Sequence, residues 1–153
     1  MTPDIFIKLL TPAAVASAKK TGIPASYVIA AGALESGWGT SLLSTKGRNL
    51  FGVKADPVWK GSVLLLPTRE FRKGKWVTEQ AKWRFYPDWL ACIADHAAFF
   101  KVNKRYTNAL KCTSGEAFAY AVASAGYATD PDYASKLVSI IRKYELAKLD
   151  TPS

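Results

Sequence analysis

The chain has 153 residues, enough for one domain with a sizeable core, and its 49% hydrophobic content is ordinary for a globular protein. Its 21 basic and 12 acidic residues give a net charge of +9, which favours polyanions such as nucleic acid, anionic lipid or an acidic cell wall. No apolar run reaches the length of a membrane span, and two cysteines with one histidine are too few for a disulfide framework or a zinc site.

Two threonine–proline pairs mark helix starts near the N-terminus. Thr2 and Thr11 are each followed by proline, which suits the first position of a helix because its missing N–H needs no partner there. They predict two short helices, 4–10 and 13–20. Gly22 then stops the second helix.

An apolar run over 24–35 predicts a buried central helix that ends at an acid. Glu35 falls on the same helical face as apolar residues four and seven positions before it, and Gly37 and Gly39 break the helix. A carboxyl on an apolar face beside an aromatic ring such as Trp38 loses hydration, which raises its pKa. Such a group can stay protonated near neutral pH and donate a proton to a leaving oxygen. The alternative is a solvated glutamate at a helix end.

Extended patterns replace helical ones from about residue 62 to residue 86. A turn at 72–75 between two apolar arms predicts a β-hairpin. Alternation along the first arm places Glu70 on the face opposite Arg69 and Phe71. Because two strands alone are marginally stable, the hairpin should lean on the helices or flex.

Helical patterns return in the second half of the chain. The apolar spacing over 89–100 predicts one helix, and Thr113 with Glu116 matches a capping box before another at 117–124. Residues 130–132 open the last helix. Its apolar stripe comprises Leu137, Ile140, Ile141 and Tyr144.

The sequence shows no internal repeat and no linker. We therefore predict a single domain over 1–150 that includes a β-lobe at about 60–86, followed by a tail at 151–153. The basic residues are scattered and accompany no nucleic-acid-binding motif, so nucleic acid is the weaker partner.

Three segments carry a resemblance to a known family. They read ALESGWG at 33–39, NLFGVK at 49–54 and AGYATDPDY at 125–133. In this order and spacing they resemble the peptidoglycan N-acetylglucosaminidases of glycoside hydrolase family 73, which include a flagellar muramidase-like domain and many phage and bacterial lysins. The resemblance covers nearly the whole chain. It implies an α+β, mostly α, lysozyme-like fold in which a helical body and a small β-hairpin lobe flank a substrate groove.

The resemblance also implies a pair of carboxylates. Glu35 would be the general acid, and Glu70, in the segment TREF at 68–71, would activate water or stabilise positive charge on the sugar. Glu79 on the returning arm is the rival for this second role, and it would otherwise pair with basic residues across the strands. Asp95 is a further acid, expected to be solvated or to cap its helix.

Three more residues match groove positions of the family. Tyr127 would line the groove near the acid, the amide of Asn49 would hold an N-acetyl or hydroxyl group, and Phe51 would pack on a sugar face. In the alternative, Tyr127 is a core tyrosine, while Asn49 and Phe51 shape their loop. No cofactor and no metal are expected.

The leading interpretation is an endo-acting hydrolase of the β-1,4 bond after N-acetylglucosamine. Since the N-terminus lacks a leader pattern, we expect a phage endolysin or tail lysin, made in the host bacterial cytoplasm and acting in the periplasm or cell wall. Its partners would be peptidoglycan glycan strands and the anionic envelope surface, and it would act as a monomer.

Other functions stay open from the sequence. A lytic transglycosylase or muramidase would share the fold, and a non-catalytic wall-binding module would not need a helix-end acid. A cysteine peptidase is a further alternative, because Cys92 and His96 lie four positions apart on one predicted helix.

Overall fold

The computed structural model describes residues 1–151, which form a mostly helical body and one two-stranded antiparallel sheet. The helices are α1 (Pro3–Thr21), α2 (Ala25–Ser36), α3 (Leu42–Gly47), α4 (Trp89–Val102), α5 (Gly115–Ser124) and α6 (Tyr133–Lys143). The strands are β1 (Val63–Arg72) and β2 (Lys75–Arg84), and 3₁₀ turns occupy Lys104–Tyr106, Ala109–Lys111 and Leu146–Asp150. The predicted mostly helical α+β class is confirmed. The last two positions of the predicted tail, 152 and 153, lie outside the described residues.

The first helix corrects the sequence prediction, because α1 is one helix where two were expected. Thr2 caps it as predicted, but Pro12 lies inside it, where a proline costs about 3 kcal/mol. One face of α1 is buried on both sides of the proline; it comprises Phe6, Leu10, Ala14 and Ser17. Burying Phe6 and Leu10 contributes about 1.5–3 kcal/mol each, which outweighs the cost of the proline and keeps the helix continuous.

Helix α2 is the centre of the molecule. Ten of its twelve residues are buried, and α1, α5 and α6 pack around it. Only Leu34 and Glu35, in its last turn, escape full burial. A Cβ added at Gly32 would lie 3.4 Å from the Leu10 side chain, so α1 is in van der Waals contact with α2 there. The sequence predicts this helix over 24–35, within one residue of its observed bounds at each end.

The hairpin formed by β1 and β2 is paired along its full length. Its turn residues, Lys73 and Gly74, both have positive φ (50° and 77°), which is typical of a tight type I′ turn. Burial alternates along β1, so that Glu70 is half-buried while Arg69 and Phe71 are exposed, as predicted. We call the half-buried side of the hairpin the inner face; it comprises Leu64, Leu66, Thr68, Glu70, Val77, Glu79, Ala81 and Trp83.

The base of the hairpin rests on the preceding loop and on α4. The Arg84 N–H donates to the Val53 carbonyl at 3.1 Å, and the Ala55 N–H donates to the Lys82 carbonyl at 2.9 Å. The Arg84 guanidinium also bonds to Asp95 of α4 at 2.7 Å. The hairpin therefore leans on the body at one end and projects its turn from the other.

The start of α5 is the second correction. Ser114, rather than Thr113, is the capping residue, and its hydroxyl accepts an N–H of the first turn at 3.2 Å. Glu116 bonds to Arg142 of α6 at 2.7 Å instead of closing a capping box. The cause is Gly115, whose backbone packs so tightly against α2 that an added Cβ would overlap a serine side chain there. Tertiary packing thus decides where α5 begins.

The remaining helices follow the sequence patterns. Asp88 caps α4 by accepting the Ala91 N–H at 2.8 Å, and the predicted apolar stripe of α6 faces the core. Cys92 is buried and Cys112 is half-buried, and both are free thiols. In the described part of the chain, no helix is both long and apolar enough to cross a bilayer.

The carboxylate of Asp150, in the last 3₁₀ turn, joins the starts of two helices. It accepts the N–H of Ser26 at 3.0 Å and the hydroxyl of Ser26, both at the start of α2, and the N–H of Gly115 of α5 at 3.0 Å. Helix N-termini leave N–H groups without partners and favour negative charge, so one carboxylate stabilises both ends.

We therefore expect Asp150→Asn to lower the free energy of unfolding by about 1–3 kcal/mol, because hydrogen bonds to a charged acceptor are lost or weakened. Urea denaturation of the pure protein measures this change. Glu145→Gln, which removes an exposed acid nearby in the chain, is the matched control. Equal stability of the two variants would contradict this role for Asp150.

Candidate active site

The site begins at the turn that ends α2. Gly37, Trp38 and Gly39 have φ values of 58°, 61° and 79°, a run of left-handed conformations that turns the chain sharply away from the helix axis. The Ser36 hydroxyl donates to the Gly32 carbonyl and accepts the Gly39 N–H at 2.8 Å, which holds this turn in place. Ser36 is buried, and the residue just before it is the exposed one at the end of the helix.

That residue is Glu35. Its side chain reaches solvent, but it stands in a crowded part of the molecule, and the lost hydration raises the pKa of its carboxyl. The predicted rise in pKa is therefore present in direction. Trp38, the aromatic neighbour considered from the sequence, packs between Phe6 and Tyr144 with ring centroids 5.7 and 5.1 Å away.

Three tyrosines lie within electrostatic reach of Glu35. Burial raises the pKa of the hydroxyls of Tyr27, Tyr127 and Tyr133, and the negative charge of Glu35 raises them further. The hydroxyls of Tyr27 and Tyr133 lie 3.0 Å apart, and the rings of Tyr127 and Tyr133 have centroids 5.4 Å apart. The side chains near the acid are thus neutral phenols from three separate segments.

His96 connects this group to the loop after α3. Its imidazole stacks on the Phe51 ring at 3.9 Å between centroids, and its Nε2 lies 2.7 Å from the Tyr127 hydroxyl. Burial lowers the pKa of His96 to about 3, so the ring is neutral and holds Tyr127 by a hydrogen bond rather than by charge. We call Phe51, His96 and Tyr127 the histidine cluster.

The role of His96 was not foreseen from the sequence. As the single histidine it argues against a zinc site, and its spacing suggests only a partner for Cys92. His96 lies next to Ala97 and four residues before Phe100, within the apolar spacing of α4. That spacing indicates a buried side chain. A buried histidine needs a polar partner, and Tyr127 supplies it.

Asn49 is buried, and backbone groups occupy its amide. It donates to the carbonyls of Val53 and Arg84, both at 2.9 Å, and accepts the Val53 N–H at 3.1 Å. These bonds fix the loop that carries Phe51 and tie it to the end of β2. Loop shaping is the observed role of Asn49, and sugar binding stays a prediction.

The two candidate second acids lie on the inner face of the hairpin with different partners. Glu70 has Lys54 at 3.3 Å, in a pair that remains partly exposed. Glu79 is held by two nitrogens of Arg72, and this bond keeps the pKa of the Glu79 carboxyl below its usual range. The expected pairing of Glu79 with a basic residue is confirmed. Within residues 1–151, Glu35 and Glu70 share no hydrogen bond or ion pair.

Asp95 differs from its sequence prediction, because it is neither solvated nor a cap. It accepts bonds from Arg84 at 2.7 Å and from the Tyr86 hydroxyl at 2.5 Å. Arg84 also lies over the Trp59 ring at 4.7 Å and 3.3 Å from Asp56. Asp95 is therefore part of the joint between the hairpin and α4.

The thiol of Cys92 does not suit nucleophilic chemistry. Burial raises its pKa to about 12, and the Leu50 N–H approaches its sulfur at 3.4 Å. His96 is turned to Tyr127 instead. These observations disfavour a cysteine peptidase. Among the described residues, no group of histidine, cysteine and acidic side chains could hold a metal ion.

Comparisons with known proteins show what this chain resembles. The chain is 40% identical over 144 residues to the peptidoglycan hydrolase FlgJ of Salmonella typhimurium, covering 92% of this chain and 45% of that protein. It is 38% identical over 152 residues to the exo-glucosaminidase LytG of Bacillus subtilis, covering 96% of this chain and 53% of that protein. The chain thus spans about half the length of these relatives.

Solved structures and a family comparison extend the match. The structure of a C-terminally truncated glycoside hydrolase domain from Salmonella typhimurium FlgJ superposes with a TM-score of 0.82 at 36% identity, covering 94% of this chain and 98% of that one. Residues 11–146 match the glucosaminidase family, described as mannosyl-glycoprotein endo-beta-N-acetylglucosaminidase. The resemblance of the three sequence segments is confirmed, and the chain belongs to the glucosaminidase family of glycoside hydrolases.

Proposed function

We propose that this chain hydrolyses the β-1,4 bond that follows N-acetylglucosamine in peptidoglycan, with Glu35 as the general acid. The observation that carries the proposal is the place of Glu35 at the exit of a buried helix, where lost hydration raises its pKa. A carboxyl that keeps its proton near neutral pH can donate it to the leaving oxygen. Similarity to proteins named peptidoglycan hydrolase and exo-glucosaminidase supports the substrate class.

Glu70 is the second carboxylate in this proposal. It would stabilise positive charge on the sugar or activate water. Its partner Lys54 is exposed, and such a surface pair is weak, so bound glycan can replace that contact at little cost. Glu79 is instead committed to Arg72 through two contacts. This difference favours Glu70.

The histidine cluster would form the wall of the groove beside the acid. Tyr127 is within electrostatic reach of Glu35, and its hydroxyl is held by a neutral imidazole. Phe51 stacks on the ring face of that imidazole and is only 6% exposed. It would therefore offer only a small edge of its ring to a sugar. Tyr127 is therefore the stronger candidate for substrate contact.

The finer assignments are tested by the products released from purified cell wall. A new reducing end on N-acetylglucosamine supports the proposal, one on N-acetylmuramic acid indicates a muramidase, and a 1,6-anhydro end indicates a lytic transglycosylase. Mass spectrometry of the released muropeptides distinguishes the three reactions.

We further propose a monomer of the phage endolysin or tail lysin type, whose +9 charge favours an anionic wall.

Glu35→Gln should lower the rate of wall hydrolysis by about 10²–10⁴-fold, because it keeps the shape of the side chain and removes the proton donor. Turbidity loss of purified wall measures the rate. Glu116→Gln, which removes an acid that pairs with Arg142 on the surface, should stay close to wild type. A folded Glu35→Gln protein within a few-fold of wild type would exclude Glu35 as the acid.

The same substitution should change the pH dependence of stability. Because the folded-state pKa of Glu35 is raised, its proton favours the folded state, fully at pH values below the unfolded pKa of about 4.3. This contribution is lost as the pH rises through the raised pKa. Glu35→Gln cannot ionise, so it should match wild type near pH 4 and be more stable near pH 7. A difference in unfolding free energy that stays constant over this range would contradict the raised pKa.

A pair of substitutions on the inner face tests the second carboxylate. Glu70→Gln should reduce turnover strongly, whereas Glu79→Gln should mainly loosen the turn end of the hairpin by releasing Arg72. Both are assayed on one wall preparation, with folding checked by circular dichroism. The reverse pattern would assign the role to Glu79. Full activity of both variants would leave Glu35 acting with the acetamido group of the substrate.

A further inference from the structure

Within residues 1–151, no other element covers the side of the hairpin that faces away from Glu70. We call it the outer face; it comprises Val63, Leu65, Pro67, Arg69 and Phe71 of β1 and Trp76, Thr78, Gln80 and Lys82 of β2. All nine of these residues are exposed. Five are apolar, two are basic and none is acidic. The outer face is therefore both apolar and positively charged.

An aromatic pair lies at the turn end of the outer face. Phe71 and Trp76 stand directly opposite each other on the two strands, with ring centroids 5.3 Å apart. The guanidinium of Arg69 lies 5.4 Å from the Trp76 ring centroid. The two rings nevertheless stay 61% and 62% exposed, and Leu65 is 59% exposed. Single exposed apolar residues are common, but here an aromatic pair and the aliphatic side chains of Val63, Leu65 and Pro67 lie on one face, separated by the Arg69–Thr78 row. Several exposed apolar groups on one face indicate an interaction surface.

The charge of the hairpin is divided between its two faces. Residues 63–84 contain six basic and two acidic side chains, a net +4 of the total +9. Both acids, Glu70 and Glu79, lie on the inner face and are already paired. In the described residues, no salt bridge engages the other basic groups of the outer face and turn. These are Arg69, Lys73, Lys75 and Lys82.

We propose that the outer face docks on an anionic phospholipid bilayer, with the Phe71–Trp76 pair at the boundary between headgroups and acyl chains. Tryptophan prefers this boundary because its ring is apolar and its N–H is polar, and basic side chains beside it are attracted to anionic headgroups. The docking needs no catalysis and does not depend on the proposed function.

The composition of the outer face favours lipid over other polyanions. A hydrated wall polymer would satisfy Arg69 and Lys82 and would offer sugar faces to the aromatic pair, but it would leave Val63 and Leu65 in water. A second copy of this chain would place the basic groups of one outer face against those of the other, with no acid to offset them. An anionic bilayer covers the apolar surface and neutralises the charge together.

The geometry also leaves Glu70 accessible during docking. Side chains alternate across a strand, so the inner face with Glu70 points away from whatever the outer face contacts. A protein bound to the bilayer by its outer face would present Glu70 to the opposite side. In a bacterium, that is the side on which peptidoglycan lies above the membrane.

The test is co-sedimentation of the full chain with vesicles of phosphatidylglycerol and phosphatidylcholine, compared with phosphatidylcholine alone. We expect binding to the anionic vesicles only, weakened at high salt. Leu65→Ser/Trp76→Ser should reduce it at least tenfold, whereas Leu9→Ser/Val102→Ser, which removes comparably exposed apolar groups elsewhere, should not. Circular dichroism confirms that each variant is folded.

A second pair of variants separates local from overall charge. Arg69→Gln/Lys82→Gln should weaken binding roughly 30-fold, from about 1 kcal/mol for each basic residue near an anionic membrane. Lys8→Gln/Lys19→Gln has the same net charge and should bind nearly as wild type. Equal loss in both pairs would overturn the proposal, since attraction would then follow net charge alone. Equal binding to neutral vesicles would also overturn it.

Two further results would assign the outer face to another partner, if the wild-type protein does not bind vesicles. Loss of binding to purified wall in the outer-face variants would indicate the wall polymer. Loss of self-association in the same variants would indicate a second copy of this chain.

Discussion

The complete burial of α2 is the constraint on which the rest of this structure depends. Ten of the twelve residues of this helix are buried, so it has no solvent-exposed polar face. Other elements must therefore pack against every side of it. Its two ends then have to satisfy their backbone groups within the protein. Asp150 does so at the start, and the Ser36 hydroxyl with the left-handed turn does so at the end. Glu35 is placed where this helix leaves the core, which is why its carboxyl is accessible and still poorly hydrated.

The histidine cluster shows how distant segments are joined beside that acid. The loop after α3 contributes Phe51, α4 contributes His96, and the turn before α6 contributes Tyr127. One neutral imidazole contacts both partners, one through its ring face and one through its nitrogen. Because burial lowers the pKa of His96 to about 3, this joint does not change its charge over the pH range in which Glu35 titrates. The support beside the acid therefore stays constant while the acid itself changes state.

The hairpin separates two kinds of chemistry by the alternation of a strand. Its inner face carries paired acids and faces the body. Its outer face carries exposed aromatic rings and basic groups that form no salt bridge within residues 1–151. The network around Arg84 fixes the base of the hairpin to α4, so both faces are presented in defined directions. A two-stranded sheet would be marginal alone. This charged joint, the loop contacts and the packing of Leu64 against Gly47 of α3 attach it to the body.

Local patterns in the sequence determined most of the elements and the family. The buried run before Glu35, the alternation around Glu70 and the three family segments are all readable from neighbouring residues. Tertiary structure alone decided that α1 continues through Pro12 and that α5 begins at Ser114, because burial against α2 outweighs local signals there. It also decided that Asp95 is an ion-pair partner and that His96 holds Tyr127. Such contacts join residues far apart in the chain, and a periodic pattern carries information only about which face of its own element a residue occupies.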